Sequence, residues 1–301
     1  MYDLIIIGGG PAGLTAAIYA IRKRLDVLLI SPDLGGKTRF HMYLPDNLER
    51  FQVITGDDLV SRFRSQVEYL EFARKLERAE KVRAIEGGYA VVTSEGNRYD
   101  ARAIIVATGA GAVQLNVPGE SKYRLHGLAY SAVSYAPLFI DRAAAVVGEG
   151  ELGVRSALEL AQIARRVYFI IPSLAVLNSA LGKKLQASEN VTVLDGYTVK
   201  EIKGDETYAR GIIVSKDGEE VELVVDVTFV ELDLLPHSEC VADLVKLNER
   251  RQIVVNCNNC TSRPGIFAAG DVTDTFTEQV LICIGEGAKA ALSAYEYILS
   301  Q

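Results

Sequence analysis

The sequence predicts an α/β protein made of two parallel βαβ units, the second inserted into the first. Three observations predict it. First, an isoleucine-rich run at 3–7 leads into Gly8-Gly9-Gly10-Pro11-Ala12-Gly13. An amphipathic stretch at 14–24 and a second apolar run at 27–30 follow. Strand, glycine turn, helix and strand open a parallel unit. Second, the order returns with an apolar run at 143–147, the turn Gly148-Glu149-Gly150-Glu151-Leu152-Gly153, a helical pattern at 154–165 and a strand at 167–170. Gly8 and Gly148, Gly13 and Gly153, and Val27 and Val167 are each 140 residues apart. Third, each unit carries an antiparallel insert. Runs at 89–93 and 98–102 flank Gly96-Asn97, and runs at 211–215 and 220–225 flank Asp217-Gly218, a strong hairpin signal.

Each insert leads into a closing apolar run, Ile104-Ile105-Val106-Ala107 and Val227-Thr228-Phe229-Val230. The expected domains are therefore 1–113 with 238–301, and the inserted 114–237. Both are Rossmann-like, with hinges expected at Val117-Pro118-Gly119 and Leu235-Pro236-His237.

Composition narrows the class. The chain has 301 residues, 49% hydrophobic and 24% charged, which excludes a disordered or fibrous protein. A net charge of −7 argues against nucleic acid as a partner, because phosphate neutralisation needs clustered Lys and Arg. No apolar run approaches the ~18 residues of a membrane span. The start, Met1-Tyr2-Asp3-Leu4, shows no basic segment of a secretory signal. Four cysteines are too few for a disulfide scaffold, so a cytoplasmic location is expected.

Gly8, Gly10 and Gly13 match the dinucleotide fingerprint in its proper setting. The first permits the tight turn, the second lets backbone approach a pyrophosphate, and the third packs helix on strand. The helix N-terminus then faces the phosphates. Ala107-Thr108-Gly109 ends the closing strand, and Gly265-Ile266-Phe267-Ala268-Ala269-Gly270-Asp271 lies near the C-terminus. A strand ending in Gly-Asp offers a carboxylate to a sugar-alcohol chain. The alternative role for Asp271 is a helix N-cap, and both roles could coexist.

On these segments, with Gly35-Gly36 and Pro264 to Val272, the chain resembles the low-molecular-weight thioredoxin reductase family of FAD-dependent pyridine nucleotide-disulfide oxidoreductases. The resemblance covers nearly the whole chain. It implies FAD on the first fold, held by Gly8, Gly9, Gly10, Pro11, Ala12, Gly13, Gly36, Thr108, Gly109, Gly270 and Asp271. Asp271 would meet the ribityl chain, and Gln279 and Val280 the pyrimidine edge. It also implies NADPH on the second fold, and a homodimer.

The departures from that family matter as much. Where the family has Cys-x-x-Cys after a Tyr, this chain reads Tyr130-Ser131-Ala132-Val133-Ser134-Tyr135. Serine cannot do thiol–disulfide exchange, which needs a thiolate and a sulfur leaving group. NADP sites place Arg after the second strand and NAD sites an acid. Here Ile170 is followed by Ile171-Pro172-Ser173, and Glu149 and Glu151 lie in the glycine turn. NADPH recognition is therefore not expected. The middle fold is left open between a relic and a site for another dinucleotide, such as a second FAD. In the first unit Ser31 stands where a ribose-binding acid is common, with Asp33 as the alternative. Lys37 follows Gly35-Gly36 and faces either the cofactor or solvent.

Cys257-Asn258-Asn259-Cys260 has three readings: a redox dithiol replacing the missing disulfide, two plain loop cysteines, or half of a zinc site. The zinc reading rests on His237-Ser238-Glu239-Cys240, separated from Cys257 by 16 residues. The redox reading is taken, with Cys257 and Cys260 as catalytic candidates and no metal assigned. Cys283 reads as a small core residue, and His41 and His126 as surface or packing residues. The base-rich stretch 62–83 reads as a solvated face, or as a surface for an acidic carrier such as ferredoxin or flavodoxin. In it Arg62, Arg64, Arg74, Lys75, Arg78, Lys81 and Arg83 outnumber Glu68, Glu71, Glu77 and Glu80. Tyr130 and Tyr135 could stack on a flavin. The expected function is an FAD-dependent oxidoreductase with a donor other than NADPH. Its partner would be thioredoxin-like through Cys257 and Cys260, or ferredoxin- or flavodoxin-like through the flavin alone. The remaining alternative is a non-catalytic flavin-binding protein.

Overall fold

The computed structural model describes residues 1–39, 42–44, 60–65 and 73–301. The chain divides into two compact units. One comprises Met1–Arg39, Ile54–Gly111 and Leu235–Gln301; the other comprises Phe40–Val53 and Ala112–Leu234. Each is a dinucleotide-type α/β fold, and the second interrupts the first.

The first unit is built on a seven-stranded sheet. Its strands are β1 (Tyr2–Ile7), β2 (Val27–Ile30), β3 (Arg74–Lys75), β4 (Ala79–Ile85), β5 (Gly88–Thr93), β6 (Arg98–Val106) and a closing strand Ile266–Ala268. The order is β3-β2-β1-β6-β5-β4, with the closing strand also on β6. β1 pairs in parallel with β2 and β6, while β5 is antiparallel to both β4 and β6. The apolar runs of β1 and β6 are covered on both faces, which is why they do not alternate with polar residues. Leu4, Ile6 and Ile105 pack with helix α1 (Pro11–Arg22) and the C-terminal helix Val280–Leu299. Ile5, Ile7, Ile104 and Val106 pack on the other side with Val241 and Ile253. Each such fully buried Ile contributes roughly 1.5–3 kcal/mol by leaving water.

Two details differ from the expectation. The insert strand and the closing run of the first unit are one nine-residue strand, β6, because nothing between Arg102 and Ile104 breaks it. Helix α1 starts at Pro11, earlier than the amphipathic pattern indicates. Proline is pre-set for the first helical position, and the third glycine of the turn already lies within the helix.

The second unit has a parallel sheet formed by β7 (Leu128–Ala129), β8 (Ala143–Gly148), β9 (Arg166–Ile171), β10 (Val191–Asp195) and, after the insert, β14 (Val227–Glu231). The order is β10-β9-β8-β14-β7. Helix α2 (Glu151–Ala161) follows β8. The insert is a separate antiparallel sheet of β11 (Thr198–Gly204), β12 (Ala209–Lys216) and β13 (Glu219–Val224). Its β12–β13 turn has φ of 53° at Asp217 and 87° at Gly218, the doubly positive pair that the sequence signals. Here insert and closing strand stay apart. Asp226 lies between them, and its carboxylate accepts from the Ala143 amide at 2.9 Å. Pro118 and Gly119 lie inside this unit: the Pro118 carbonyl accepts from Ile202, and Gly119 takes φ = 84°. Tyr43 also joins it, stacked on His126 with ring centres 5.2 Å apart, a contact no sequence pattern announced.

Candidate functional site

The glycine turn of the first unit is shaped by two steric demands. Gly8 takes φ = 113°, and a Cβ there would lie 2.2 Å from the Ala107 carbonyl oxygen. A Cβ on Gly13 would lie 1.8 Å from the Gly8 carbonyl oxygen, so helix and strand touch backbone to backbone. Gly10 differs, because a Cβ there would meet nothing within 4 Å. It is the N-cap of α1 and has no side chain to cap the helix. The first-turn amides of Ala12 and Gly13 are thus open to an anion at the positive end of the helix. Gly9 is held from behind, its amide donating to the buried Ser31 hydroxyl at 2.8 Å. Ser31 therefore fixes the turn first. Asp33 accepts from the Gly36 amide and pairs with Arg39 at 3.4 Å, so it orders the following turn.

Lys37, in the 3-10 turn Gly36–Arg39, reaches across to the C-terminal part of the same unit. Its ammonium lies 2.6 Å from Asp271 and 3.2 Å from Glu278. Partial burial alone would lower its pKa, but Asp271 and then Glu278 outweigh that and raise it above the ordinary lysine value. Lys37 stays charged. Asp271 caps no helix, since the next one begins at Val280. One carboxylate oxygen takes Lys37; the other accepts from the buried Cys283 thiol at 3.2 Å. Burial first, and then the Asp271 charge, push the Cys283 thiol far above its usual range, so it remains protonated. Glu286 accepts from the Gly270 amide at 2.7 Å. Glu278 and Glu286 carried no sequence signal beyond their neighbours. Cys283 and Glu286, three residues apart, share one helix face. Thr108 donates to the His237 carbonyl at 2.6 Å, and Gly109 takes φ = 72° with open space beside it. Val280 packs on the core at the helix start. Beside it the Gln279 side-chain nitrogen is buried and has no hydrogen-bond partner among the described residues.

Cys257 and Cys260 lie elsewhere on this unit. Both are free thiols, Cys257 exposed and Cys260 half-buried. Their turn is pinned: Asn256 accepts from the amides of Asn258 and Cys260, and Asn259 donates to the Ala268 carbonyl. Lys289 and Ser293 of the C-terminal helix hold the carbonyls of Cys257 and Asn258, each at 2.8 Å. Those anchors are six and ten residues beyond Cys283, roughly 9 and 15 Å along the helix. Burial pushes the Cys260 thiol upward. Cys240 is in the core beneath the sheet, where burial pushes it to about 12. Among the described residues no three His, Cys, Asp or Glu side chains converge as a metal site.

In the second unit Gly148 and Gly153 also meet backbone to backbone, and Gly150 faces open space. Yet Glu151 begins α2 and pairs with Arg155 at 2.9 Å. The Ser173 hydroxyl accepts from the Ala175 amide of its own turn at 3.4 Å. The hydroxyls of Ser131 and Ser134 are hydrogen-bonded to each other at 3.0 Å. Tyr130 donates to Glu120 at 2.8 Å and carries Arg124 5.4 Å from its ring centre, so it is fixed within the unit.

Of the basic stretch, Lys81 pairs with Asp243 at 3.0 Å. Glu77 is buried against Thr93, Asn97 and Tyr99. His41, Glu68 and Glu71 lie outside the described residues. Among the described residues no helix is long and apolar enough to cross a membrane.

Comparison with known proteins adds three findings. The pattern of the pyridine nucleotide-disulphide oxidoreductase family matches residues 2–287. The F component of alkyl hydroperoxide reductase from Staphylococcus aureus is 35% identical over 302 aligned positions, covering 99% of this chain but 59% of its own length. The chain thus spans little more than half of that relative. Among solved structures, thioredoxin reductase from Streptococcus pyogenes aligns with a TM-score of 0.90 and 30% identity, covering 100% of this chain and 99% of that one. A ferredoxin-flavin thioredoxin reductase from Clostridium acetobutylicum aligns at 0.51 and 28%, covering 99% and 98%.

Proposed function

The chain belongs to the pyridine nucleotide-disulphide oxidoreductase family, and from that premise we propose that it is an FAD-dependent oxidoreductase passing electrons directly from its flavin to a redox partner. The observation that carries the reading is the buried Gln279 side-chain nitrogen, a donor with no partner among the described residues. A buried donor left unpaired costs about 1–3 kcal/mol, and a flavin carbonyl would satisfy it. The open approach at Gly10 fits a pyrophosphate equally well.

FAD, when bound, supplies reversible electron transfer in one- or two-electron steps. The protein's part is to hold it. Gly8, Gly9, Gly10, Pro11, Ala12 and Gly13 would present the helix N-terminus to the pyrophosphate, with Ser31 bracing Gly9. Asp271 keeps acceptor capacity for the ribityl hydroxyls. Gly36, Thr108, Gly109, Gly270 and Val280 line the approach with backbone and apolar surface.

The donor is proposed to be a ferredoxin- or flavodoxin-like carrier rather than NADPH. Ser173 and the two glutamates of the second turn support this, as does the likeness to a ferredoxin-flavin enzyme. A homodimer is proposed on family grounds. A second FAD on the inserted unit remains the competing use of its intact glycine turn.

A second reading has one observation in its favour: Cys257 is exposed beside Cys260. That pair could serve as a relocated dithiol, receiving electrons by delivery from another copy of the chain. Anaerobic titration with dithionite separates the readings. Two electrons per FAD are expected, whereas four would mean an additional disulfide; a second flavin would show as two FAD per chain. The double variant Cys257→Ser/Cys260→Ser should keep its flavin and reduce acceptors as fast as wild type. Loss of turnover with flavin retained would overturn the direct reading in favour of the dithiol.

A further inference from the structure

We propose that Lys37 sets the redox potential of the flavin, acting as a charged positioning residue between Asp271 and Glu278. The inference rests on the FAD reading above and deepens it. Lys37 comes from the turn after β2, whereas its two partners stand at either end of the segment 271–278, just before Gln279. Asp271 is nearly buried and already engaged by Cys283 on its other oxygen, so it cannot swing away. The ammonium is therefore held between Asp271 and Glu278, the residue next to Gln279 in the chain.

Charge near a flavin tunes its electronics, and the reduced ring carries the greater negative charge. Two carboxylates with no cation between them would oppose reduction. Lys37 cancels one of them and makes reduction easier. A lysine held only for the stability of the turn would leave the potential unchanged.

The test uses the full FAD-loaded chain and reads the midpoint potential against reference dyes under anaerobic conditions. Lys37→Met keeps the length and removes the charge. Its reduced-to-oxidised ratio at a given potential should fall at least tenfold, a shift of about −30 mV for a two-electron couple. Glu278→Gln should shift the potential upward, and Lys37→Arg should stay near wild type. Opposite signs from two substitutions in one ion cluster cannot come from mere loosening, which would move both alike. An unchanged or raised potential in Lys37→Met overturns the proposal. Should that variant lose FAD on purification, it is measured in excess FAD, and Glu278→Gln carries the same test with the opposite sign. A wild type that cannot be loaded with FAD overturns the flavin reading itself, and this shows in its spectrum before any potential is taken.

Discussion

Gly10→Val is expected to purify folded and colourless. Three glycines of one turn face different surroundings. At Gly8 and Gly13 an added Cβ runs into backbone oxygens at 2.2 and 1.8 Å, so substitution there damages the fold itself. At Gly10 the added atoms enter open space, so the empty protein should lose little stability. That same space is where the proposed pyrophosphate would come against the helix N-terminus. An isopropyl group there would displace it, and a loss of ~100-fold in affinity, about 2.7 kcal/mol, is the expected scale. Flavin absorbance per protein and thermal unfolding of the empty protein check the two halves separately. A yellow, fully loaded Gly10→Val protein would show that no dinucleotide lies across this turn. An unfolded one would show that Gly10 is structural.

Most of the fold was legible because it is written twice. The 140-residue repeat exposes both βαβ units, and the Asp217-Gly218 turn exposes the hairpin. What the sequence hid was continuity. Nothing in residues 98–106 tells one long strand from two short ones until Asp226 is seen breaking the equivalent run in the second unit. The glycine turn was legible for the same reason: Gly8 and Gly13, where a Cβ would strike backbone oxygens, stand at the spacing of the fingerprint.

Its ionic half was not. Lys37 meets Glu278 across 241 positions, and only the folded chain brings them together. The Cys257-x-x-Cys260 spacing shows the opposite limit. Four residues separate Cys260 from Gly265, and they fold the chain back so that Cys260 bridges Phe267 in antiparallel fashion, while Lys289 and Ser293 hold the carbonyls of Cys257 and Asn258.

NADPH and NADH are both expected to bleach the flavin very slowly. A 2′-phosphate is usually read by a bidentate arginine beyond the second strand, and a 2′-hydroxyl by an acid in that place. Here β9 ends in Ile171, followed by Pro172 and Ser173, and neither brings a charge to that place. At the other end of the would-be ligand Glu151 stands in the first turn of α2, where a negative charge satisfies the helix dipole that a phosphate would otherwise use. Arg155, one turn further along that helix, is paired with Glu151. Two missing charge-assisted hydrogen bonds are worth about 3–6 kcal/mol. That scale corresponds to an affinity lower by ~10²–10⁴-fold. Stopped-flow absorbance of the oxidised flavin under anaerobic conditions, with micromolar NADPH or NADH, is the measurement. Dithionite in a parallel run establishes that the flavin is reducible. Rapid bleaching by NADPH would mean that another part of the second unit reads the phosphate. The donor proposal would then fall, while the assignment of FAD to the first unit would stand.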